Sequence, residues 1–274
     1  MSTERAHALV ADFESSKASS RARWLLERSA VAGRLHELID TPDQVRQGRL
    51  NLCGPAAMFA VWFRRDPEAA TSYAIRLFEE GRSAIGDLAV RPSWRLRRAL
   101  FDGGLLGEPC PAADWMMMAA LRDSTNRMLR YSHPGGPREA AAAITMPGAM
   151  RRWLTATGLF AAVRDETTLV RRLSLDHARS LPADADVFVL LAQEMLRTPA
   201  RWIGRARDHV VGLVPNHWIL LRSPVELTEK GEATFRFWSW GGLYAATVPR
   251  HRFVRGYHGC LVGEKPLRLA EGPA

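Results

Sequence analysis

The sequence predicts an α+β fold, with helices in the first two thirds of the chain and β-strands in the last third. Three observations lead there. Helical periodicity, broken by Gly- and Pro-rich loops, runs through residues 1–180. From about residue 183 the texture changes to short runs of Val, Phe, Trp and Leu bounded by turn residues. Finally, 274 residues at 47% hydrophobic and 24% charged supply enough apolar material for a core, which excludes disorder of the whole. Helices first and strands later indicate two subdomains meeting across a cleft, where sites usually lie.

The first forty residues read as helix. Over residues 22–39, Trp24, Leu25, Ala30, Val31, Leu35 and Leu38 fall on one stripe with arginines and glutamates between them. Thr41-Pro42-Asp43 opens a new segment, and an apolar helix follows Cys53 to about Phe63, stopping at Asp66-Pro67. Further helices are predicted over 67–81, 93–100, 111–129, 138–143 and 147–157. Strands are predicted over 186–191, 209–221 (broken by Pro215), 233–240, 244–248 and 259–262. The resulting division is an N-terminal helical extension over 1–42, a helical part over 43–180 and a β part over 181–274.

Charge and cysteine usage narrow the function classes. Lys+Arg total 38 against 29 Asp+Glu, a net +9, and only Lys17, Lys230 and Lys265 are lysines. An arginine-preferring composition and attraction to an anionic partner both account for that excess. The clusters at 64–65, 95–98, 151–152, 171–172 and 201–207 are scattered, which fits a solvated surface better than a nucleic-acid footprint. No nucleic-acid partner is expected; an acidic substrate or partner is what the charge leaves. Cys53, Cys110 and Cys260 form no Cys-x-x-Cys pair, so neither a disulfide framework nor a zinc site is indicated. No phosphate-loop, dinucleotide or His-Glu-x-x-His signature occurs, so no cofactor and no metal is predicted. Glu4, Arg5 and Asp12 break any apolar signal-peptide core, and the apolar stretch 52–63 is short of the ~18–20 residues a membrane span needs. The expectation is a chain made in the cytoplasm, with export by a route needing no cleaved signal left open.

The strongest local signal is Gln47-Gly-Arg-Leu-Asn-Leu-Cys53-Gly54-Pro55-Ala56-Ala57, running into an apolar helix. A cysteine at a helix N-terminus sits at the positive end of the macrodipole, which favours its thiolate. Gly54 and Pro55 suit a helix start, and Ala56 and Ala57 allow close packing. Gln47 can bring a side-chain amide beside the Cys53 backbone N–H, two donors suited to an oxyanion. The plain alternative is a buried structural cysteine, because a free thiol packs as a small hydrophobe. Among eight histidines, His217 stands out at the mouth of the apolar run Trp218-Ile-Leu-Leu221, where an imidazole can face a cleft as a base; His209 is the weaker competitor. The Met-rich segment Asp114-Trp-Met-Met-Met118 with Leu121-Arg122-Asp123 reads as an amphipathic core helix rather than a substrate groove. Residues 123–126 suit the lining of a site, with no spacing that demands it.

On these residues the chain resembles the papain-like cysteine peptidase superfamily, including bacterial branches. Gln47-x5-Cys53-Gly-Pro-Ala-Ala is similar to its oxyanion glutamine and nucleophile, and Asn216-His217-Trp218 to its catalytic-histidine strand. Trp238-Ser239-Trp240-Gly241 is similar to its Asn-Ser-Trp-Gly segment. The resemblance implies a papain-like α+β fold, with a helical first lobe carrying the nucleophile helix and an antiparallel β-sheet second lobe. It implies that Cys53 attacks a carbonyl, His217 shuttles the proton and Gln47 holds the oxyanion. The departure is at the third position, where Trp238 stands for the orienting Asn. Ser239, a backbone carbonyl or no third group at all are the alternatives. The implied function is hydrolysis of peptide or isopeptide bonds in a protein, isopeptide or peptidoglycan-peptide substrate, as in a bacterial effector or toxin. An acyltransferase or transglutaminase-like enzyme on the same dyad, and a degenerate binding module, are the rival readings. A protein that binds an anionic polymer, resting on the charge alone, is a further one.

Overall fold

The computed structural model describes residues 2–17, 20–48, 50–99, 101, 110–126, 131, 143–170, 173–196 and 214–265. The architecture is α+β, a helical N-terminal part followed by a seven-stranded antiparallel sheet. The chain divides into two compact units, Met1–Thr157 with Trp240–Gly242, and Gly158–Ser239 with Leu243–Ala274.

The first unit is built on α1 (Ser2–Ser15), α2 (Arg28–Asp40), α3 (Cys53–Arg65), α4 (Pro67–Glu80), α5 (Trp94–Arg97), α6 (Ala112–Thr125) and α7 (Pro147–Ala156). A small antiparallel hairpin, β1 (Ser83–Ile85) with β2 (Leu88–Val90), follows α4. Helix α1 buries only Ala6, Val10 and Phe13, one stripe at helical spacing, as a surface helix should. The two central helices differ: α3 is buried from Cys53 to Phe63 and α6 from Ala113 to Asp123. A helix apolar on every side belongs inside a core. Between α3 and α4 the chain turns at Asp66-Pro67, where Asp66 Oδ1 accepts from the Ala69 N–H at 3.1 Å and Pro67 opens the helix.

Two expectations need correction. Residues 22–27 are not helical, and helix α2 begins at Arg28. They strap the end of α4 instead: the Ala22 N–H donates to the Glu79 carbonyl, the Ser20 hydroxyl to Phe78 and the Trp24 indole to Leu77. Backbone acceptors in the last turn run short of intrahelical donors, and the strap supplies them; Leu77 also accepts from the Gly81 N–H at 3.0 Å. Trp24 is buried this way, while Leu25 is 54% exposed. The second correction concerns α6, which is not amphipathic: Asp114, Arg122 and Asp123 are buried along with its methionines. The expected helix over 138–143 lies outside the described residues, apart from Ala143.

The second unit holds β3 (Ala162–Asp165), β4 (Asp186–Leu191), β5 (His217–Leu221), β6 (Glu226–Leu227), β7 (Glu232–Ser239), β8 (Gly242–Pro249) and β9 (Tyr257–Glu264). Short helices α8 (Leu175–Arg179) and α9 (Arg250–Gly256) accompany them. The strand order is β3-β9-β4-β5-β7-β6, with β8 also paired to β7. Trp240 and Gly241 join β7 to β8 with φ of 48° and 75°. Two successive positive φ values are what a tight two-residue hairpin turn needs, although a bulky side chain rarely adopts them.

Candidate active site

Cys53 opens α3 and is 5% exposed. The helix starts close against a neighbour: a Cβ placed on Gly54 would lie 2.6 Å from the Thr145 side chain, so only glycine fits. Gln47 is buried in the same unit, and its Oε1 accepts no hydrogen bond among the described residues.

The segment before Gln47 is held from both sides. The Arg46 N–H donates to Asp114 Oδ2 at 2.7 Å, and the Cys110 thiol donates to the Arg46 carbonyl at 3.2 Å. Asp114 in turn receives a two-pronged contact from Arg34, Nε to Oδ1 at 2.9 Å and Nη2 to Oδ2 at 3.0 Å. Arg34 Nη2 also donates to the Gln44 carbonyl at 2.6 Å. A forked guanidinium–carboxylate pair with its remaining groups bonded is the arrangement in which buried ions are tolerated. Burial lowers the Arg34 pKa, but the bonds and charges of Asp114 and then Glu37 together outweigh it and the net shift is upward. Asp114 and Arg34 are thus positioning residues for the Gln44–Gln47 segment. Sequence reasoning missed them because they stand eighty positions apart, with nothing in their spacing to link them.

In the second unit, His217 is 3% exposed, and its Nε2 lies 2.7 Å from the Ser239 hydroxyl oxygen. The pairing of β5 with β7, Leu220 opposite Trp238, sets Ser239 across from Ile219 when carried one residue further. His217 shares that face with Ile219, so the serine is its diagonal neighbour, within reach of an imidazole. Burial pushes the His217 pKa down to about 3. The ring is therefore neutral near pH 7, able to accept a proton but not resting as an imidazolium.

The three thiols stand in different electrostatic settings. Burial and then the Asp114 carboxylate push the Cys110 thiol well above its ordinary range, with Arg34 opposing. Burial and then Glu166 raise Cys260 to about 12. Cys260 belongs to a cluster in which His177 Nδ1 lies 2.9 Å from the Tyr257 hydroxyl and His177 Nε2 lies 3.2 Å from Glu166 Oε2. Cys53 instead shares its field with Arg122 of α6. Among the described residues no group of His, Cys, Asp and Glu is arranged to hold a metal ion, and no helix is long and apolar enough to cross a membrane. His209 lies outside the described residues. No protein-family model matches the chain, and no curated protein or solved structure matches it.

Proposed function

We propose that the chain is a papain-like cysteine hydrolase that cleaves peptide or isopeptide bonds through a thioester on Cys53. The observation that carries the reading is the 2.7 Å contact between His217 Nε2 and the Ser239 hydroxyl, both buried. A neutral imidazole held by a second group is the form a general base takes, and Ser239 fills the orienting role that Trp238 lacks the chemistry for. Cys53 Sγ attacks the carbonyl carbon while its proton passes to His217. The Cys53 backbone N–H and the Gln47 side-chain amide stabilise the oxyanion. The C–N bond then breaks, and the amine leaves with the proton from His217. Water adds to the thioester, releasing the acid and restoring the thiol. Because Ser239 carries no charge, it orients the ring without favouring the imidazolium, and its loss reduces the rate rather than abolishing it.

The test is acyl-enzyme trapping with a panel of peptide and isopeptide esters and amides, read by intact-protein mass. The expected adduct is on Cys53, disappears in Cys53→Ala, and fails to accumulate in His217→Ala. A full-strength adduct or undiminished turnover in Cys53→Ala overturns the reading. An added amine acceptor that intercepts the thioester in preference to water would shift the assignment from hydrolase to acyltransferase.

A further inference from the structure

Helix α3 packs against α6 and α7, and Arg122 of α6 interacts electrostatically with Cys53. Thr145 sits on Gly54, the residue after Cys53. Its neighbour Ile144 offers its carbonyl to Arg122 Nη2 at 2.8 Å. The guanidinium carbon lies 5.4 Å from the centroid of the Trp153 ring on α7. Arg122 is 5% exposed, so its charge is fixed in place and poorly screened by solvent.

We propose that Arg122 is a positioning residue whose guanidinium stabilises the Cys53 thiolate. The inference rests on the cysteine-hydrolase reading for its catalytic meaning. Burial lowers the Arg122 pKa to about 10, and the Cys53 charge raises it in opposition. Interaction between two titrating groups is reciprocal, so a guanidinium stabilised by a thiolate stabilises that thiolate equally. Even at about 10, Arg122 is charged throughout the neutral range. Ionic groups on other elements packed against α3 pair as follows: Arg34 with Asp114 and Glu37, Asp40 with His7, Asp43 with Arg64, Glu68 with Arg5, Glu79 with Arg28 and Arg76 with Glu80. On α6 itself, Asp123 Oδ2 accepts from the Ser93 N–H, and on α7 Arg151 and Arg152 are exposed. A conventional dyad draws its thiolate from an ion pair with imidazolium.

The test is the pH dependence of Cys53 alkylation by iodoacetamide, followed by peptide mass in the full-length chain, in Arg122→Met and Arg122→Lys. In the unsubstituted protein the midpoint is expected at least about one unit below the ~8.5 of a free thiol. Arg122→Met is expected to raise it and slow labelling at pH 7 by about tenfold or more. Arg122→Lys, which keeps the charge but not the fork, is expected to hold most of the depression. A midpoint at or above ~8.5 in the unsubstituted protein overturns the proposal, whether or not any variant folds. Equal midpoints in the unsubstituted protein and Arg122→Met do so too. The two readings fail separately. A depressed, Arg122-dependent midpoint without Cys53 acylation upholds the electrostatic role and sinks the hydrolase. Cys53-dependent turnover with an Arg122-independent midpoint does the reverse.

Discussion

Helix α6 carries a carboxylate near its start and a guanidinium near its end, both buried, about 12 Å apart along the axis. At the Asp114 end the neighbouring thiol, Cys110, is driven towards its neutral form and donates a hydrogen bond to Arg46. At the Arg122 end the neighbouring thiol is Cys53, at the first position of α3. Both cysteines are buried to a similar degree, so desolvation alone does not separate them. The charges they interact with differ: Asp114 raises the Cys110 pKa, with Arg34 opposing, whereas Cys53 interacts with the Arg122 guanidinium. On the proposed reading, a structural thiol and a nucleophilic one share one core because a single helix presents opposite charges to each.

Breaking the acidic end should have the largest effect. Asp114→Ala leaves Arg34 buried without its carboxylate and frees the Arg46 N–H, and is expected to cost about 3–5 kcal/mol in urea unfolding. A loss under about 1 kcal/mol would show that the pair does not hold this part of the core. Asp114→Asn keeps an acceptor for Arg46 and should cost less.

The second unit extends the comparison to a base whose pKa is lowered by burial. Between the ordinary histidine pKa of 6.5 and its folded value near 3, the unfolded His217 binds a proton and the folded one does not. Stability therefore falls as pH drops through that window, by about 1.4 kcal/mol per unit, or about 2 kcal/mol between pH 6.5 and 5. His217→Gln should flatten that slope, and an unchanged slope would show that the ring is not what titrates.

Smaller effects are expected where packing and hydrogen bonding sharpen the two sites. Gly54→Ala drives a methyl into Thr145 and should cost about 1.5 kcal/mol, partly recovered in combination with Thr145→Ala, which removes two of the crowding atoms. Additive losses in the double variant would contradict the contact. Ser239→Ala leaves His217 Nε2 without that partner and should cost about 1 kcal/mol, with roughly a tenfold fall in kcat and little change in KM. A proportional rise in KM would indicate a binding role for the hydroxyl instead.

What could be read from the sequence followed from local periodicity and punctuation. Helix α3 was marked by an uninterrupted apolar run between Cys53 and Asp66-Pro67, and strands β4 and β7 by β-rich runs ending at turns. Ser239 and His217 were visible as neighbours of recognisable motifs, but that they share a face depends on a strand register the sequence does not print. The strap over residues 20–27 escaped because its stripe also fits a helix, and only its hydrogen bonds to the last turn of α4 decide between the two. Arg122 escaped for a related reason. A charge inside an apolar helix reads as a solvated edge until every side of that helix is found to be covered. The pairing of Arg34 with Asp114 likewise belongs to tertiary packing, not to any local pattern.

The central claim is that Cys53 alone among the three cysteines is an activated nucleophile. Parallel alkylation of the native protein with iodoacetamide at pH 7, resolved peptide by peptide, tests it most directly. The account predicts that Cys53 is labelled at least about a hundredfold faster than Cys110 or Cys260, consistent with thiols held protonated by burial beside Asp114 and Glu166. Labelling of Cys53 no faster than the other two would contradict it.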